Sequence, residues 1–285
     1  MDFGCSSFIW RTEDGRHLLG RTYDQFGDLA ANRVISVPRG CSCAPGLHGE
    51  GAVSGAYGCT GMAVLGFGEP ILVDGVNSAG LMGALLHFPE YAVYEESAGP
   101  SRTAVHPGRL LAWLLGRCAG VKEAVEELSR LTLVDEPIQG KPLPAHYILS
   151  DKTGEAVIIE PEEGGLSIHR KTIGVLTNSP DYRWQRVRLA FMKEFAVPGK
   201  DELDGVSRMF RAFAPVDIPE GLAKADPNYD VYEQTLCTSV MCAESGVYYF
   251  APAWNRRISA VRLPAQGTEM QYFDLGDGQD IDWRN

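Results

Sequence analysis

The sequence has 285 residues, 45% hydrophobic and 22% charged. That is long enough to bury a sizeable core, and too balanced in composition for a disordered, collagenous or coiled-coil chain. Lys and Arg number 26 against 37 Asp and Glu, for a net charge of −11, which argues against a general nucleic-acid binder or a protein held on an anionic membrane, because phosphate contact needs a basic face. No apolar run approaches the roughly 20 residues that a bilayer-spanning helix needs. The start, Met1-Asp2-Phe3-Gly4-Cys5, lacks the basic and apolar segments of a secretory signal, so a cytoplasmic protein is expected. None of the seven cysteines is spaced C-x-x-C, and Cys41-Ser42-Cys43 is too tight for a zinc knuckle, so free thiols and no metal are expected.

In chain order, strands are expected at His17–Tyr23, after a turn at Glu13-Asp14-Gly15, and at Arg33–Val37. Met62–Gly66 and Ile71–Val73 bracket a Gly-Glu-Pro turn, and Leu81–Phe88 is a continuous apolar run, as in a strand buried on both faces. Pro107 opens a helix over Gly108–Cys118, and a second helix is expected over Val121–Leu131 with Glu123, Glu127 and Arg130 facing water. Tyr147–Ser150 and Ala156–Glu160 flank Asp151-Lys152-Thr153-Gly154, a hairpin signal. Strands at Ser167–His169 and Gly174–Thr177 follow, then helices at Arg183–Phe195 and Leu203–Phe213. A last meander comprises Leu236–Met241, Val247–Ala251 and Ile258–Leu263. Strands, helices and strands again make an α+β layered fold in one domain.

Chemistry concentrates at Cys5. If residues 1–4 are removed, Cys5 carries a thiol and a free α-amine together. The amine, with a pKa of about 7.7–8, can take the thiol proton near neutrality. A cysteine this close to a chain start is ordinarily a buried or frayed thiol. What raises its interest is Arg21-Thr22-Tyr23-Asp24, at the end of the first expected strand, where adjacent strands would bring it beside Cys5. A guanidinium there would depress the thiol pKa, and a carboxylate would orient the ammonium; alone, an Arg–Asp pair is a structural ion pair.

Several blocks, in order, carry a resemblance that spans nearly the whole chain: Cys5-Ser6-Ser7, Arg21 to Asp24, Asp74-Gly75-Val76-Asn77 with Gly80 to Ala84, Ile168 to Pro180, Thr238-Ser239 through Val247 to Phe250, and Arg257 to Val261. In these the sequence resembles the choloylglycine hydrolase family of N-terminal-nucleophile amidases, with penicillin V acylases among the nearest in pattern. The resemblance implies a four-layer αββα sandwich and hydrolysis of a linear amide in a small N-acyl substrate through an acyl-thioester, with no cofactor. It implies that Cys5 is nucleophile and, through its amine, general base, flanked by Arg21 and Asp24. Asn178 would be an oxyanion donor, with a main-chain N–H at His87 as the second. Asn178 also reads as an ordinary turn residue. Substrate contacts are expected from Asn77, Met82, His87 and Phe88. Tyr91 would add to an apolar wall.

Three departures from the family pattern stand out. Cys5 is not residue 2, so a propeptide of residues 1–4 must be cut at Gly4–Cys5, where a residue without Cβ suits a strained backbone. His87 stands where relatives carry Tyr or Asn, and it reads equally as a satisfied histidine at a pocket wall. The stretch between Asn178 and Leu203 is short, whereas relatives carry a Gly-rich insertion bearing a second arginine. Arg186 is taken to replace that arginine, with Arg183 and Arg188 as alternatives; strict gapless pairing puts Gln185 there, and Arg208 reads as a helix-surface residue. The shortened loop leaves a second reading open, a non-catalytic binding protein that keeps the fold. It also leaves the oligomeric state open, a homo-oligomer included. A third reading, a thiol protease using Cys5 with a distant histidine, would need no propeptide removal. The remaining histidines, His17, His48, His106, His146 and His169, show no metal-triad spacing and read as structural or exposed.

Overall fold

The computed structural model describes residues 5–26, 31–41, 55–66, 69–137, 142–178, 181–183, 185, 199–214, 233–254, 256–264, 267 and 269–275. The chain runs β1 (Ser6–Arg11), β2 (His17–Phe26), β3 (Asn32–Val37), β4 (Cys59–Val64), β5 (Ile71–Leu72), β6 (Asp74–Asn77), β7 (Met82–His87) and β8 (Thr103–Val105). There follow α1 (Pro107–Arg117), α2 (Val121–Leu128), β9 (Leu131–Leu133), β10 (Ala145–Ser150), β11 (Ala156–Glu162), β12 (Gly165–Arg170) and β13 (Val175–Thr177). Last come α3 (Glu202–Phe213), β14 (Glu233–Cys242), β15 (Val247–Pro252), β16 (Ser259–Arg262) and β17 (Gln271–Phe273).

The apolar strand runs find their places through a period of two. Leu18 and Leu19 are both fully buried, but in different cores. The same split separates Val240 from Met241, Ile148 from Leu149 and Ile158 from Ile159. Such strands need cover on both faces. One sheet takes the order β13-β1-β2-β14-β15-β16, and the other β12-β11-β10-β7-β6-β4-β3-β17, with β5 beside β4. Leu19, Met241 and Tyr248 of the first meet Val76, Met82 and Ile148 of the second in the central core. Outside the second sheet, α1 brings Leu110, Leu111, Leu114 and Leu115 against Tyr147, Leu149 and Ile159. Outside the first, Val206 and Met209 of α3 cover Trp10, Leu18 and Val240. The result is the expected four-layer αββα sandwich. Among the described residues no helix is long and apolar enough to cross a membrane.

Local signals behave as their chemistry demands. Pro107 opens α1 at its first turn, and the His106 ring accepts the Gly108 N–H at 3.0 Å as the cap. Asp201 caps α3 through the Asp204 N–H at 3.0 Å. The Asp151 to Gly154 turn joins β10 to β11 with Ser150 opposite Ala156. Two readings need correction. The helix expected over Val121–Leu131 stops at Leu128, and Leu131–Leu133 instead pairs in parallel with Thr103–Val105, which gives these three buried residues a strand partner. The strand Ser6–Arg11 has no counterpart in the sequence reading, because polar Ser6 and Ser7 break its apolar pattern. The helix expected over 183–195 lies, apart from Arg183 and Gln185, outside the described residues.

Candidate active site

Register alone brings the key residues together. Strand β1 pairs with β2 so that Ser7 faces Arg21, and with β13 so that Ser6 faces Thr177. Continuing the two registers, by two residues toward β2 and by one toward β13, sets Cys5 opposite Tyr23 on one side and Asn178 on the other. Cys5, Ser7, Arg21, Tyr23 and Ser239 thus share the face turned toward the second sheet. At the end of β2 the register to β14 shifts between Thr235 and Cys237. This bulge at Leu236 lets Thr235 Oγ1 donate to the Asp24 carboxylate at 2.6 Å.

The Cys5 sulfur is 2.8 Å from Arg21 Nη2 and 3.4 Å from the Asp24 main-chain N–H, and its own proton points to the Asp24 carbonyl at 3.6 Å. Arg21 is fully buried. Its Nη1 donates to the carbonyls of Val73 at 2.7 Å and Leu85 at 2.8 Å, and its Nε to that of Thr22 at 3.0 Å. The counter-charge is Asp74, 3.8 Å from Arg21 Nε and also fully buried. Asp74 in turn accepts from Met62 N at 3.0 Å, Ser239 Oγ at 2.8 Å and Tyr248 Oη at 2.7 Å. Gly61 makes this approach feasible, since a Cβ there would stand 2.0 Å from the Asp74 carbonyl. Asp74, Ser239, Tyr248 and Thr235 were given no role by the sequence reading; the usable signal was an acidic residue inside an apolar strand block.

The electrostatics differ from the expectation in one respect. Arg21 does pull the Cys5 thiol pKa down, but burial pushes it up further, and the Asp24 charge adds to the rise. With the thiol 4% exposed in the whole chain, the neutral form is favoured.

The other expected residues separate clearly. Asn178 is half-buried at the end of β13, and its side-chain oxygen is buried with no partner among the described residues. His87 is exposed at the end of β7, its pKa lowered by the protein around it and by His146. Phe88 N donates to the Pro144 carbonyl and Ala145 N to Tyr94 Oη, so in the alternation of an antiparallel ladder the His87 N–H points away from β10. Three of the residues expected at the substrate are buried. Asn77 is fully buried: its Nδ2 donates to the Leu115 and Cys118 carbonyls, and its Oδ1 accepts from the main chain of Ala79, Gly80 and Leu81. Its hydrogen-bonding capacity is thus committed to the end of α1 and the β6–β7 turn. Met82 is fully buried in the core between the sheets. Phe88 is 1% exposed, with its ring centroid 4.2 Å from that of His146 and 5.3 Å from that of Tyr91, so its ring is covered by packing. Arg186 lies outside the described residues. Arg183 is exposed and paired with Glu162. Gln185, by contrast, is buried and bonded to Thr177. Arg208 pairs with Asp204 on the surface of α3.

Beside the site, Glu160, Glu162 and His169 come close enough to hold a metal ion, but their atoms are already engaged. Glu160 accepts from His146 and the Tyr182 N–H on one oxygen and meets His169 on the other, and Glu162 pairs with Arg183. Burial works against the Glu160 charge, but the bonds from His146 and His169 prevail and hold its carboxyl at about 2. A carboxyl depressed on folding contributes stability that is full above its unfolded pKa of about 4.3 and is lost as pH falls toward the folded value. Melting curves of wild type and Glu160→Gln should therefore differ most at pH 6 and converge between about pH 4 and 2. A gap that stays constant with pH would exclude this role.

The comparisons agree with this fold. The model of linear amide C–N hydrolases, choloylglycine hydrolase family, matches residues 5–186 and 185–277. A bile salt hydrolase/transferase of Clostridium perfringens is 26% identical over 311 residues, covering 91% of this chain and 92% of that protein. The crystal structure of a variant of the conjugated bile acid hydrolase from Clostridium perfringens superposes with a TM-score of 0.80 at 24% identity, over 99% of this chain and 100% of that one. The penicillin V acylase of Agrobacterium tumefaciens gives 0.77 at 21% identity, over 95% and 92%. With its model match running from Cys5 through β17, the chain belongs to the choloylglycine hydrolase family of linear amide C–N hydrolases.

Proposed function

We propose that this hydrolase acts through Cys5 as an N-terminal nucleophile on a small N-acyl substrate with an apolar acyl part, penicillin V or a conjugated bile acid being the model cases. The observation that carries it is the seat of the Cys5 sulfur, which faces a buried guanidinium and a main-chain N–H at 2.8 and 3.4 Å. Residues 1–4 are first removed. The thiol adds to the Gly4 carbonyl, the Gly4–Cys5 C–N bond breaks as the nitrogen takes the proton, and water hydrolyses the resulting thioester. Residues 5–285 then form a single amidase domain. Cys5 now has a free amine beside Asp24, which orients it. In turnover the amine accepts the thiol proton as sulfur bonds the substrate carbonyl. It passes the proton to the leaving nitrogen, and water releases the acid from the acyl-thioester. The developing oxyanion is stabilised by the Asn178 amide and the His87 N–H. The placement of Asn178, half-buried at the strand end opposite Cys5, supports this role, whereas Asn77 is wholly committed to backbone.

Intact mass should show a chain beginning at Cys5. A hydrolysis panel of penicillin V, glycine- and taurine-conjugated bile acids and acyl lactones should give one preferred class. Asn178→Ala should lower kcat by about 10²–10³ with little change in KM. A chain that keeps Met1 and hydrolyses none of the panel would overturn the proposal.

A further inference from the structure

Among the described residues strand β13 is the edge of its sheet, so half of its main-chain groups face no described strand. Ile9 N donates to the Gly174 carbonyl at 2.8 Å, which makes that pair hydrogen-bonded and, by alternation, leaves the main-chain N–H and C=O of Thr177 turned away from β1. Both are met by one side chain. Thr177 N donates to Gln185 Oε1 at 2.7 Å, and Gln185 Nε2 donates to the Thr177 carbonyl at 2.8 Å. Gln185 is 1% exposed, and its own N–H donates to the Asp181 carbonyl at 3.1 Å. The same short segment grips the start of the strand, where Ile173 N donates to Tyr182 Oη at 2.8 Å, and it is tied inward by Tyr182 N to Glu160 at 2.9 Å. The residue after Thr177 is Asn178.

We propose that Gln185 is a positioning residue for the oxyanion hole: its amide stands in for a missing strand and fixes the main chain from which Asn178 reaches the substrate carbonyl. The proposal rests on the reading of Asn178 as an oxyanion donor. A primary amide fits because it offers one donor and one acceptor side by side, like a peptide group. A carboxylate would set a second acceptor against the Thr177 carbonyl, and a guanidinium a second donor against its N–H. An oxyanion donor works by being held in place before the charge develops, so a loosened strand end should cost turnover rather than binding.

The test is a double-mutant cycle on the matured full chain, with penicillin V and glycocholate as probes. Gln185→Met keeps the side-chain volume and removes the clasp; Gln185→Glu serves if the methionine variant does not fold, as judged by its melting curve. We expect Gln185→Met to lower kcat by about 10- to 10²-fold with KM within about two-fold. We expect that loss to vanish when Asn178 is already alanine, because the two act as one unit. Additive losses, or an unchanged kcat in a folded Gln185 variant, would overturn the role of Gln185 alone. An unchanged kcat in Asn178→Ala would overturn the oxyanion reading itself, and the positioning role with it.

Discussion

Cys5→Ala is expected to leave residues 1–4 attached and to lower amide hydrolysis by at least about 10³-fold, because it removes the group that makes both bonds. Cys5→Ser is expected to be similarly inactive in amide hydrolysis. A hydroxyl would meet the same two donors, but it is a far weaker nucleophile at neutral pH. The electrostatics add a second measurement. Burial raises the Cys5 thiol in the full chain against the pull of Arg21, so the thiolate forms only at higher pH. Alkylation of the unprocessed chain by iodoacetamide should be slow at pH 7 and should quicken as pH rises. After residues 1–4 are gone it should be faster at pH 7, as water and the new amine reach the sulfur. Intact mass reports both processing and labelling on the same sample. Undiminished hydrolysis by Cys5→Ala would remove Cys5 from the reaction.

How much of this was legible beforehand depends on what kind of signal each part leaves. Apolar runs such as Leu81–Phe88 announce strands covered on both faces, and the split of Leu18 from Leu19 into different cores is the three-dimensional form of that signal. Pairing between distant strands leaves no such local trace. Nothing within residues 5–24 says that Thr235 will hold Asp24 or that Asp74 will face Arg21, since both depend on β14 and β6 arriving from far along the chain. Asn77 and Asn178 show the limit from the other side. Both sit at strand ends, and as residue types they are interchangeable; only the partners separate a turn organiser from a candidate oxyanion donor. Gln185 was visible as a position but not as a clasp, because its role is defined by which edge of β13 is left open. Asp74 was quoted as part of a block yet given no task, although a carboxylate in a buried strand must find a cation or several donors.

That buried pair sets up the other large effect. Asp74→Ala should cost about 3–5 kcal/mol of stability, the usual penalty for stranding one member of a buried ion pair. The guanidinium would keep its carbonyl contacts at Val73 and Leu85 but lose its only close carboxylate among the described residues, while Ser239 and Tyr248 would lose an acceptor. Arg21→Met should cost a similar amount, because it leaves Asp74 charged and the two carbonyls without their donor. Against a typical total of about 5–15 kcal/mol, either change takes a large share. The double variant Arg21→Met with Asp74→Leu discriminates between purposes. If the pair exists mainly to hold the fold, its interaction is lost once whichever partner is removed, so the double variant should stay about as unstable as either single. If it exists to place a cation against Cys5, apolar replacement of both partners should recover much of the lost stability, as it often does for buried pairs. Hydrolysis should nevertheless stay as low as in Arg21→Met alone. Urea unfolding of the four proteins, read beside their kcat, measures both quantities. Recovery of turnover together with stability would show that the Cys5 sulfur does not need the guanidinium 2.8 Å away.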